Sequence, residues 1–85
     1  LTENTKAMIP VHLTGRPVEL QPIAALAAKH GLHVIEDAAH ATGATYLGEP
    51  IGNSHWSKMA IFSFHPVKHM TTGEGGIIMT NDEHL

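Results

Sequence analysis

Eighty-five residues make one small domain at most, and a chain of this size buries roughly 60–65% of its unfolded surface, so its core is marginal. A formal net charge of −3, from five Lys and Arg against eight Asp and Glu, argues against nucleic acid or an anionic membrane as the main partner. The longest apolar run, Ile23 to Ala28, falls far short of the about 20 residues a membrane-spanning helix needs, and without cysteine there is neither a disulfide nor a thiolate metal ligand.

The apolar share of 42% beside 15% charged residues is that of a globular chain. No stretch has the form of a targeting segment. The chain begins at Leu1 without Met and stops at Leu85 inside a charged run, so both ends read as cut and a piece of a longer protein is expected.

In chain order, Met8 to Leu13 (MIPVHL) reads as a short buried strand, with Gly15-Arg16-Pro17 turning after it. Leu20 to His30 reads as a helix. Leu20, Ile23, Leu26 and Ala27 recur at helical spacing, Pro22 falls in the first turn, and Gly31 stands where a C-terminal cap belongs. Leu32 to Ile35 reads as the next strand. Strand, helix, strand is the unit of parallel sheets, and it puts Glu36 and Asp37 at a strand's carboxyl end, where open α/β sheets bind ligands. Ala38 to Gly43 is a small-residue loop, and Tyr46 to Asn53 is rich in Gly and Pro and surface-like. Lys58 to Phe64 and Gly75 to Thr80 read as further strands. Between them His65 to Glu74 has no hydrophobic period, and long loops of this kind are often functional. Phe62, Phe64, Ile77, Ile78 and Met79 are expected in the core, and Tyr46 and Trp56 are expected to serve packing.

Several residues could carry chemistry. A carboxylate of Glu36-Asp37 could pair with a cationic ring nitrogen, a metal or a sugar hydroxyl, or simply cap a helix or meet solvent. Lys68 could form a Schiff base if its pKa were depressed, although most lysines only solubilise a surface. Thr71 to Gly76 could cradle an anion with backbone amides or could be a tight turn entering a strand; it matches neither a Walker loop nor GxGxxG. Ser63, between two phenylalanines, could bond backbone or face a ligand. Of eight histidines, His30 and His33 are three apart and His65 and His69 four apart. Pro66 argues against a helix through the second pair, so scattered polar histidines fit better than a metal site, and no metal is expected.

Taken together, VIEDAAHATGA around Asp37 and AIFSFHPVKHMTTGEGG around Lys68 resemble the DegT/DnrJ/EryC1/StrS family of pyridoxal-phosphate sugar aminotransferases, from about Ala7 to Asp82. The resemblance implies an α/β fold, with residues 1–85 a central fragment of the large cofactor-binding domain of the aspartate aminotransferase fold, a mixed and mostly parallel sheet with flanking helices. It implies pyridoxal 5′-phosphate as cofactor. Asp37 matches the carboxylate that pairs with its pyridine nitrogen, and His40 falls where members carry Gln or His near the ring hydroxyl. Ser63 matches a hydroxyl that bonds the cofactor phosphate. Lys68 matches the Schiff-base lysine, which also moves a proton at the substrate carbon; a dehydratase branch has His there, so lysine favours transamination.

The ENTKAMIPVHLTGRPVEL opening and the SFHPVKHMTTGEGG loop most resemble the branch that aminates C4 of a UDP-linked 4-keto-6-deoxy-N-acetylhexosamine on the route to pseudaminic acid, with L-glutamate as amino donor. A cytoplasmic homodimer is implied for the full-length protein, with a nucleotide sugar and glutamate as partners. The readings set beside this one are a non-catalytic phosphate or nucleotide-sugar binding module of the same fold, a histidine-based metal protein, and an aminotransferase for a different nucleotide sugar.

Overall fold

The computed structural model describes residues 1–64 and 75–84. Its centre is a four-stranded sheet in the order β1-β2-β5-β6, with β1 at Ala7–Met8, β2 at His33–Asp37, β5 at Met59–Ser63 and β6 at Gly76–Met79. β1, β2 and β5 run parallel, while β6 pairs antiparallel with β5, Phe62 opposite Ile77 and Ser63 opposite Gly76. A separate two-stranded hairpin pairs β3 (Thr45–Tyr46) with β4 (Glu49–Pro50). The sheet is therefore mixed and mostly parallel, as expected.

Parallel neighbours cannot be joined by a tight turn, and helix α1 (Leu20–His30) makes the crossover from β1 to β2. Pro22 sits in its first turn, where the missing N–H has no intrahelical partner to lose. The last turn carries Lys29 and His30, which complement the negative end of the helix dipole. Gly31 then takes the left-handed conformation at φ 64°, its N–H donating to the Ala28 carbonyl, while the Leu32 N–H reaches back to Ala27.

The start of α1 has no capping side chain of its own. The Tyr46 hydroxyl substitutes from the hairpin: it accepts from the Gln21 N–H and donates to the Glu19 carboxylate, 3.2 Å in each case. The Tyr46 ring also meets Trp56 edge-on at 6.1 Å, and both rings pack against the core. Tyr46 thus joins helix, hairpin and core, which is the packing role expected of it, and the Gly- and Pro-rich stretch expected to be surface-like forms the hairpin.

Alternation along β2 and β5 sorts their side chains into two faces. Val34 and Glu36 on β2 and Ala60 and Phe62 on β5 are buried. Leu20, Ala38, Ala41 and Ile51 complete the core on that side. His33, Ile35 and Asp37 with Met59, Ile61 and Ser63 form the other face, which no described element covers. Close packing demands glycine at two positions. A Cβ on Gly52, at φ 93°, would lie 2.7 Å from the Phe62 ring, and one on Gly76 would lie 2.9 Å from the Phe62 carbonyl oxygen.

Two expectations are corrected. The strand expected over Met8 to Leu13 shrinks to Ala7–Met8 and a single bridge from Val11 to Asp37, because Pro10 has no N–H to give a ladder and Leu13–Gly15 turns into a short 3-10 segment with Thr14 left-handed at φ 55°. Ile77, Ile78 and Met79 are not core: β6 lies at the edge of the described sheet, and Ile78 is 60% exposed. Phe62 is buried and Phe64 packs against the core, as expected.

An apolar strand with an unpaired edge is a template for association. The isolated 85-residue chain is expected to self-associate and to melt without a cooperative transition. Sedimentation and thermal denaturation check this; a monomer with a sharp, two-state transition contradicts it.

Candidate active site

Asp37 is the last residue of β2, and its main chain is held from both sides. Its N–H donates to the Pro10 carbonyl at 2.9 Å, and its own carbonyl accepts from the His12 N–H at 3.0 Å. On the β5 side the Ala38 N–H donates to Ile61 at 2.8 Å. The half-buried carboxylate projects on the uncovered face and accepts the Ala39 N–H at Oδ1, 3.1 Å away. One oxygen is thus engaged by a local turn that fixes the side chain's direction.

Asp37 pairs in register with Ile61, and Ser63 lies two residues further along β5 on the same face. Both strands run the same way, so Asp37 and Ser63 share the carboxyl edge as well as the face. His40 follows in the exposed turn after β2. Of the four residues singled out from the sequence, the fold therefore gathers Asp37 and Ser63 on one face and places His40 just past the end of the same strand. Lys68 and residues 71–74 of the candidate anion cradle lie outside the described residues.

His30 closes α1 and His33 opens β2, both exposed; His65 and His69 lie outside the described residues. Among the described residues no three His, Asp or Glu side chains gather in a group that could hold a metal ion.

Sequence reasoning singled out Glu36 only beside Asp37 as a strand-end carboxylate and missed its buried partners, His12 and Ser57. Glu36 and His12 are the buried polar side chains among the described residues, at 2% and 1% exposure. The His12 Nδ1 accepts the Val18 N–H at 3.1 Å, so the ring proton resides on Nε2, which donates to Glu36 Oε2 at 2.8 Å. The Ser57 hydroxyl donates to Glu36 Oε1 at 2.5 Å. The signal available was Glu36 itself: alternation from Val34 puts it on the buried face, where a carboxylate needs donors.

A second carboxylate cluster sits on the hairpin surface. The His55 Nδ1 donates to Glu49 Oε2 at 2.5 Å and the Asn53 amide at 3.3 Å, while the His55 ring stacks flat on Trp56 at 4.3 Å. The hydrogen bonds from His55 and then Asn53 hold the Glu49 carboxyl below its usual range. A depressed folded-state pKa means support that is present above the unfolded value and lost as pH falls through the folded one. Glu49 is accordingly expected to titrate below an ordinary glutamate, and His55→Ala to raise it. Carboxyl-carbon NMR over an acid titration checks this; an unchanged midpoint in the variant contradicts it.

A model of the family described as the DegT/DnrJ/EryC1/StrS aminotransferase family matches residues 1–85. Among solved structures, the chain is 37% identical to Helicobacter pylori PseC, an aminotransferase involved in the biosynthesis of pseudoaminic acid, with a TM-score of 0.94 over 99% of this chain and 22% of that one. An aminotransferase from Psychrobacter cryohalolentis is 50% identical, with a TM-score of 0.92 over 98% of this chain and 21% of that one. S. venezuelae DesV, solved with a ketimine intermediate, is 44% identical, with a TM-score of 0.89 over 98% and 22%. The chain spans about a fifth of the length of these structures.

Proposed function

This chain belongs to the DegT/DnrJ/EryC1/StrS aminotransferase family, and from that membership we propose that it is the central part of the large, cofactor-binding domain of a pyridoxal-phosphate-dependent sugar aminotransferase. The observation that carries the reading is the placement of Asp37 and Ser63 at the carboxyl edge of two parallel strands, on one face that no described element covers. Ligands of open α/β sheets collect at that edge.

The residues present suit the cofactor. A half-buried carboxylate, with one oxygen already engaged by the Ala39 N–H, suits a cationic ring nitrogen, and a hydroxyl further along the same face suits a phosphate. The similar Spr1654 from Streptococcus pneumoniae, 32% identical, was solved in a pyridoxal-phosphate form, which supports the same cofactor here. When bound, pyridoxal phosphate supplies an electron sink for the carbanion made at the substrate carbon.

The roles of this chain's own residues follow. Asp37 holds a proton on the ring nitrogen, because its negative charge favours the cationic form. His40 would stand beside the ring hydroxyl, and Ser63 would donate to the phosphate. Lys68 would hold the cofactor through its amine and serve as the base and acid for the proton at the substrate carbon.

The reaction is transfer of an amino group from L-glutamate to the keto carbon of a nucleotide-linked 4-keto-6-deoxy sugar. The motif resemblance to the pseudaminic-acid branch implies a UDP-linked N-acetylhexosamine as that sugar, and the likeness to Helicobacter pylori PseC, involved in the biosynthesis of pseudoaminic acid, supports that branch. We place the full-length protein as a homodimer in the cytoplasm.

The test is made on the full-length protein. Incubated with pyridoxal phosphate, reduced with borohydride and digested, it is expected to carry the reduced cofactor on the peptide containing Lys68, and Lys68→Ala to lose it. A folded protein with no label there overturns the aminotransferase reading and leaves a non-catalytic binding module of the same fold.

A further inference from the structure

The buried face of the sheet carries a charge that the proposed chemistry does not use. Glu36 neighbours Asp37 in sequence but points the opposite way, into the core. Its two oxygens are met by the His12 Nε2–H and the Ser57 hydroxyl, and the bare Nδ1 of His12 leaves that ring neutral. A lone carboxylate held by neutral donors is a costly way to fill a core position, since an apolar side chain of similar size would pack there without desolvating a charge.

The geometry shows what the contact does. Pro10 and His12 supply the main-chain bonds that hold Asp37 from the β1 side, yet they do not belong to a strand. The ladder of β1 ends at Met8, Val11 makes only an isolated bridge, and the chain turns away at Leu13. The element that anchors this irregular segment is the His12 side chain, seated on Glu36 through one nitrogen and on Val18 through the other. Ser57 brings in the segment leading to β5.

We infer that His12 and Glu36, with Ser57, are positioning residues that lock the Pro10–His12 segment against Asp37 and so fix the direction of its carboxylate on the opposite face. The inference rests on the proposed role of Asp37 as partner of a ring nitrogen.

The experiment uses the full-length protein, with two readouts. One is amide hydrogen exchange at His12 and Asp37 in the cofactor-free protein. The other is binding of deoxypyridoxine phosphate, an analogue that lacks the aldehyde and so cannot bond a lysine, followed by its affinity and by the chemical shift of its isotope-labelled ring nitrogen. His12→Asn keeps an acceptor for the Val18 N–H but withdraws the donor from Glu36. His12→Gln keeps a donor near the Nε2 position. Glu36→Gln keeps an acceptor for the His12 Nε2–H and turns its amide NH2 to the Ser57 hydroxyl, which then accepts instead of donating, so both contacts persist without the charge. Asp37→Asn is the reference.

His12→Asn is expected to speed exchange at both amides about tenfold while α1 keeps its protection, to weaken the analogue about tenfold, and to move the ring nitrogen toward its unprotonated shift. His12→Gln and Glu36→Gln are expected to stay close to the parental protein in each readout. Parental exchange and parental nitrogen shift in His12→Asn overturn the inference, and so does loss of protection throughout α1 and β5, which marks general destabilisation. If His12→Asn does not fold, Ser57→Ala withdraws a single donor and is expected to move the same readouts about threefold; no movement overturns the inference. An Asp37→Asn variant that binds the analogue with unchanged affinity and shift removes the role of Asp37, and the positioning inference with it. A responsive Asp37→Asn beside a silent His12→Asn overturns the positioning inference alone.

Discussion

A carboxylate in the interior of a small domain constrains everything around it, because each of its oxygens must find a donor. Glu36 finds one from the segment after β1 and one from the segment before β5. The two contacts bind the ends of the parallel sheet to its middle strand from within the core. They matter more here than in a larger domain: among the described residues Leu20 is the one large apolar side chain that is nearly inaccessible, and much of the remaining core is alanine. His12, Glu36 and Ser57 define the geometry that so modest an apolar core would leave loose.

The two faces of β2 divide the work. Val34 and Glu36 point inward, to α1, the hairpin and the aromatic pair of Tyr46 and Trp56; Ile35 and Asp37 point outward, with Ile61 and Ser63 beside them. Adjacent residues on one strand therefore serve opposite purposes, Glu36 holding the frame and Asp37 standing at the carboxyl edge available to a ligand. Parallel pairing brings Ser63 to the same edge, and the antiparallel return of β6 leaves a close backbone approach at Gly76, directly opposite Ser63.

Much of this was legible in the sequence, for definable reasons. Helix α1 announces itself through apolar spacing, a proline in the first turn and Gly31 at the end; the strands at Met59–Ser63 and Gly76–Met79 are compact apolar runs. Family membership rests on the motifs around Asp37 and Lys68, and the family match over residues 1–85 bears it out. Less legible were features set by distant partners. The hairpin has strands of two residues each, too short for any period to register. The His12 to Glu36 contact spans 24 residues, and nothing local in MIPVHL marks that histidine as the one that turns inward. β6 reads as core because it is apolar, but its exposure depends on what lies beside it at the edge of the described sheet. Asp37 and Ser63 could be named from motif, whereas their common face follows only from the parallel register of β2 with β5.

The central claim is that Asp37 and Ser63 act on one ligand from one face, with the Glu36 side of the sheet serving as frame. A crystal structure of the full-length protein with its cofactor tests this most directly. The account predicts the pyridine nitrogen within hydrogen-bonding distance of the Asp37 carboxylate and the phosphate within reach of the Ser63 hydroxyl, with Glu36 still enclosed by His12 and Ser57. A cofactor seated elsewhere, or one whose ring nitrogen faces a group other than Asp37, would contradict it.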